Sequence, residues 1–138
     1  MVFDVNWVAG LVAGVAAMVP GAIIYSPAGF ARQWAKSIGK DFDKMQKEGS
    51  KKDAQMAVGK QFVTSLVNGL AAAVLVGLTQ AETVADTLVV TSILTWFWIS
   101  ASLMLVYFEN RNWMWFKISA LSHILTMAVI GVILGLFL

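Results

Sequence analysis

The chain has 138 residues, 59% of them hydrophobic and 13% charged, with a formal net charge of +2 and a mean hydropathy of +0.74. Soluble domains carry about 25% charged residues, so too few polar side chains exist here to cover a water-facing globule. This balance excludes a soluble enzyme domain, a disordered chain and a nucleic-acid binder with an extended basic face. It predicts one all-α integral membrane domain over residues 1–138.

Four runs hold no Asp, Glu, Lys or Arg: Val5–Ala31, Gln61–Ala81, Thr87–Phe108 and Ile118–Leu138. Each is as long as the roughly 20 residues a helix needs to cross about 30 Å of hydrocarbon. Lipid offers the backbone no partners, so only helices or closed barrels span it, and barrel strands would alternate over about ten residues. The expected spans are 5–24, 61–79, 88–108 and 114–138, a four-transmembrane-helix bundle. Ala13, Ala16 and Ala17 resemble a signal-peptide cleavage zone, but the residues before the first run hold only Asp4, where a basic region belongs. The first run therefore reads as a retained span.

After span one, the residue before Pro27 disfavours helix. The segment 28–60 then carries eight of the ten cationic residues. Phe30, Trp34 and Ile38 recur at i, i+4 and i+8, and Arg32, Lys36 and Lys40 follow the same period on another face. That pattern predicts an interfacial amphipathic helix between spans one and two. Phe42 and Met45 extend the stripe past Gly39. Ser50 with Asp53 forms a Ser-x-x-Asp capping pattern, from which a helix is expected to run unbroken into span two. Gln80–Asp86 reads as a short turn, and Glu109–Asn112 as a tight hairpin. Trp113 and Trp115 beside that hairpin look like an interfacial belt. Trp96 and Trp98 fall near mid-span, where an indole needs a hydrogen-bond partner or a packed groove.

The remaining cations, Arg111 and Lys117, flank the second hairpin, so all ten lie on one side of a four-span chain. The positive-inside rule makes that side cytoplasmic and both termini extracytoplasmic. Asp41, Asp43, Glu48 and Asp53 interrupt the cations, which argues against a nucleic-acid partner. Lipid removes the hydrophobic drive for helix association, so faces of small residues matter. Gly10 and Gly14 with the row Ala9, Ala13, Ala17 and Gly21, then Gly69, Ala73 and Gly77, then Gly131 and Gly135, are expected contact faces, within one chain or between chains.

The residues Gly21-Ala-Ile-Ile-Tyr25-Ser26-Pro27, then Phe30 and Trp34, then Phe108-Glu-Asn110-Arg111-Asn-Trp113, and finally Ser122-His123, together resemble a bacterial membrane family catalogued as domain of unknown function 1761. The resemblance covers essentially the whole chain and departs at Ile23-Ile24, where an aromatic often precedes the Tyr. It implies four membrane helices, a bacterial inner (cytoplasmic) membrane and no assigned activity.

His123 is the one imidazole and lies six residues into span four from Lys117, about 9 Å of rise. Ionisable groups inside a span are functional candidates by default. The alternative is a neutral histidine fixing helix register. Asn68, Ser100, Ser102, Tyr25 and Ser122 lie toward the same cytoplasmic half, with Thr64, Ser65, Ser119 and Thr126. A shared hydrogen-bonded site around His123 is expected from this match in depth, whereas a through-pore fits poorly. No acid neighbours Ser119, Ser122 and His123, and no nucleophile elbow, phosphate loop or zinc motif occurs, so no enzyme is expected and no cofactor is called for. With no Cys and a single His, Cys- or multi-His metal sites are excluded too. Two readings follow. One is a structural or accessory subunit, as a homo-oligomer or within a larger membrane complex. The other is a small-ligand transporter or lipid- or cofactor-binding bundle using the inward polar cluster.

Overall fold

A computed structural model describes residues 4–138. The first three residues of the expected domain lie outside the described ones. Seven helices follow in chain order: α1 Trp7–Ala16, α2 Met18–Ile24, α3 Ala31–Ser37, α4 Phe42–Glu48, α5 Lys51–Thr79, α6 Val84–Phe108 and α7 Trp113–Leu136. Taken as one, α1 and α2 form a helix long and apolar enough to cross a membrane, and so do α5, α6 and α7.

The first span is broken at Ala17, a turn between α1 and α2. Pro20 explains the break, because it has no N–H for the carbonyl of Ala16 and its ring crowds that carbonyl. Ala9, Ala13 and Ala17 are buried, but a Cβ built on Gly21 would meet nothing within 4 Å. Beyond the break, the expected row of small residues leaves the helix contact.

The chain then folds into a compact corner. The Ser26 hydroxyl donates to the Ile23 carbonyl at 2.7 Å and accepts from the Gly29 N–H at 3.1 Å, while the Phe30 N–H reaches the Ile24 carbonyl at 2.7 Å. Tyr25 and Trp34 meet edge to face with ring centroids 5.7 Å apart. The basic segment is not one amphipathic helix. Gly39 adopts φ +74°, a left-handed conformation that side chains disfavour, and it ends the run. Phe30 stands at the N-cap of α3 rather than inside it, Trp34 is half-buried, and Ala31 and Ala35 are the buried residues of α3, which packs on α7.

α5 does begin after Ser50, although the Ser50 side chain makes no capping bond. Asp86 is not part of the turn before span three. Thr83 accepts from the Asp86 N–H while the Asp86 carboxylate accepts from the Thr83 N–H, a capping box that starts α6 at Val84. Gln80, at φ 51°, closes α5. α7 starts at Trp113, capped by Asn112, whose side chain accepts from the Met114 N–H at 2.7 Å.

α7 is the hub and packs on α6, α1, α2 and α3, while α1 packs on α5 and α5 touches α6 more lightly. The apolar core joins Ala9, Ala13 and Ala17 to Ala72, Ala73 and Val76 and to Met127, Ile130 and Leu134. It lies toward the end of the bundle where the Asn6 amide donates to the Phe137 carbonyl.

Candidate functional site

Two helix seams organise the interior. In the first, Gly10 and Gly14 of α1 face Gly69 of α5 so closely that the backbones touch. A Cβ built on Gly14 would lie 2.8 Å from the Leu66 Cα, and one on Gly69 would lie 2.6 Å from the Gly14 nitrogen. Only glycine fits such an approach.

In the second seam, Gly131 and Gly135 of α7 face a threonine ladder on α6. Thr87, Thr91 and Thr95 repeat every four residues, hence on one face, and are 0%, 1% and 9% exposed. The Thr87 hydroxyl crosses to the Gly131 carbonyl at 2.7 Å. Thr95 donates to the Thr91 carbonyl of its own helix at 2.8 Å. A Cβ on Gly131 would meet the Thr91 hydroxyl at 2.6 Å, and one on Gly135 the Val84 Cα at 2.6 Å. Among the described residues this ladder is the longest run of buried polar side chains on a helix. Depth-matching overlooks it, because it lies in the half of α6 away from His123. Its four-residue spacing is the signal that finds it.

Toward the basic end the same face of α6 continues through Trp98 and Ser102. His123 of α7 stacks on Trp98, with ring centroids 4.5 Å apart and planes 20° from parallel. The His123 Nε2 is buried and has no hydrogen-bond partner. The expected hydrogen-bonded site around it does not form. Among the described residues no side-chain hydrogen bond links His123, Asn68, Ser100, Ser102, Tyr25 or Ser122. Ser102 and Ser122 are buried, Asn68 is half-buried beside Gly69, and Ser100 lies on the opposite side of α6 from Ser102. The helical step of about 100° per residue separates the two serines. Tyr25 packs on Trp34 at the corner.

The basic end is aromatic and charged. Trp113 meets Tyr107 and Phe116 edge to face at 6.1 and 5.9 Å, and the Arg111 guanidinium sits 5.8 Å from the Trp115 ring centroid. Ile38 is half-buried at the end of α3 and Phe30 is exposed. Arg32 pairs with Asp43 at 3.0 Å, and that hydrogen bond raises its guanidinium pKa above the ordinary value. Arg32 also covers the Phe42 ring. Cations and carboxylates thus line the recess of Arg32, Lys36, Lys40, Asp41 and Asp43 together. A second recess, lined by Pro20, Ile23 and Ile24 of α2 and by Leu125, Val129 and Val132 of α7 among others, is apolar throughout. No group of three or more His, Cys, Asp or Glu able to hold a metal occurs among the described residues.

Fold and interior define a class: a helical bundle with four segments able to cross a membrane, tied together by glycine and threonine seams. The chain matches the model of the family described as Protein of unknown function (DUF1761) over residues 8–135, and it belongs to that family. No curated protein and no solved structure matches it.

Proposed function

We propose that this protein is a structural or accessory membrane subunit that acts through helix–helix assembly. The observation that carries this reading is how its interior polar and small residues are used. Thr87 bonds the Gly131 carbonyl, and Gly10, Gly14 and Gly69 bring backbones into contact. Such groups join helices in lipid, where hydrophobicity does not. In this reading the protein sits in the bacterial inner membrane. Its termini are extracytoplasmic, and α3 and α4 lie along the cytoplasmic surface with Phe30, Trp34, Ile38, Trp113 and Trp115 at the lipid boundary. Its partners are the bilayer and other membrane proteins or copies of itself. Nucleic-acid binding and catalysis have no part in it.

A second reading, a small-ligand bundle, has one observation in its favour: the buried His123 Nε2 lacks a partner, and such groups call for an explanation. Native mass spectrometry after extraction in mild detergent separates the two. A stoichiometric protein partner or second copy supports assembly. A monomer that carries a small molecule supports the ligand reading and overturns assembly.

A further inference from the structure

Of the four apolar spans, α6 buries the smallest share of its residues inside the bundle. Its inner face carries the threonine ladder, and its outer face carries Ser92, Trp96 and Ser100 at four-residue spacing. Ser92 is exposed, Trp96 is 66% exposed and Ser100 is half-buried. Val89, Ile93 and Phe97 flank this stripe and are exposed as well. Among the described residues none of the three makes a side-chain hydrogen bond, whereas Thr87, Thr91 and Thr95 behind them all donate to helix carbonyls.

Trp96 stands midway between Val84 and Phe108, about 18 Å from either end of the helix. Tryptophan at a bilayer surface keeps its indole N–H in the wet layer. At mid-depth no water is available, and an unbonded N–H in hydrocarbon costs several kcal/mol. A serine hydroxyl can turn back to a carbonyl of its own helix, but the indole N–H has no such retreat. Trp96 therefore needs an acceptor from outside this chain. The other mid-span tryptophan, Trp98, differs in that it packs on His123.

We propose that the outer face of α6, through Ser92, Trp96 and Ser100, is the interface with a second copy of this chain. The inference rests on the assembly reading above and names its surface and partner. A twofold axis along the membrane normal sets equal depths against each other, so Trp96 of one copy lies within one helical turn of Ser92 and Ser100 of the other. The stripe then completes itself. The indole donor of one copy faces hydroxyl acceptors one turn above and one turn below on the other. The small serine side chains let the two helices approach.

The chain has no cysteine, so single-cysteine variants report without background. Ser92→Cys and Ser100→Cys are made separately and oxidised with copper phenanthroline in native membrane vesicles. Val67→Cys is the control for random collision, because Val67 is exposed on α5 and also lies about 18 Å from its helix end. The expected result is a disulfide-linked dimer from both α6 variants, several-fold above the Val67→Cys level. Adding Trp96→Phe, which keeps the ring and loses the donor, should cut the Ser100→Cys dimer several-fold without changing the unfolding temperature. Equal linking at Val67→Cys, or no linking at either serine position, overturns the interface. If native mass spectrometry still shows a homo-oligomer in that case, only this face is wrong. If it shows a different protein as the stoichiometric partner, the second copy is wrong and assembly stands. A monomer without any protein partner removes both.

Discussion

The Thr87 hydroxyl donates to the Gly131 carbonyl across 2.7 Å, joining residues 44 positions apart in a fully buried bond. The bond exists because Gly131 has no side chain to hold α6 away from α7. Threonine and glycine act here as one device, in which the glycine sets the distance and the hydroxyl uses it.

Thr87→Val keeps the side-chain volume and removes that bond. Interhelical hydrogen bonds in membranes average about 0.6 kcal/mol and reach about 2 kcal/mol, so a loss in that range is expected in denaturant unfolding from detergent micelles. Thr79→Val is the comparison. The Thr79 hydroxyl donates only to Leu75 and Val76 carbonyls of its own helix, so its removal should cost less. Equal losses would mean that the bond to Gly131 adds nothing to helix association.

The glycines should differ in rank. A Cβ at Gly14 meets Leu66 backbone, which cannot move aside, whereas at Gly131 it meets the Thr91 hydroxyl, the end of a side chain. Gly14→Ala is expected to cost about 1–3 kcal/mol, the usual range for overpacking, with Gly131→Ala below it. Gly21→Ala should be neutral or slightly stabilising, since nothing lies within 4 Å and alanine is the better helix former. Thermal unfolding of the three variants checks the order. Gly14→Ala at wild-type stability would show that the α1–α5 seam is looser than described.

Orientation has its own test. A cysteine replacing Glu82 should react with an impermeant maleimide on intact cells, and one replacing Lys47 should react only after the membrane is opened. The opposite pattern would invert the proposed topology.

The four spans are legible in the sequence because each is a charge-free run of membrane length. Their edges are less so. Asp86 looks like a turn residue until its carboxylate is seen closing a capping box with Thr83, while Ser50, with the same spacing to Asp53, makes no cap bond. The break at Ala17 follows from Pro20, which a uniform apolar run conceals. Gly39 splits the basic segment through a positive φ that composition does not reveal. At the site, a shared depth does not by itself make neighbours, and of Ser100 and Ser102 only Ser102 faces inward. Residues at one depth, such as Ser100 and Ser102, point apart, whereas Thr87, Thr91 and Thr95 at three depths share one seam.

If the interior polar groups serve helix assembly, His123 serves the packing of α6 on α7 through its stack on Trp98 rather than a bound ligand, and His123→Phe separates the two. Phenylalanine preserves an aromatic pair with Trp98, worth about 0.5–1.5 kcal/mol beyond area. It also removes a buried nitrogen that lacks a partner, a group whose burial costs about 1–3 kcal/mol. Thermal unfolding of protein extracted directly from its membrane should therefore place His123→Phe at or above the wild type, with His123→Ala below both. A clear drop for His123→Phe, accompanied by loss of a small molecule that co-purifies with the wild type, would make His123 part of a ligand site and overturn the assembly reading.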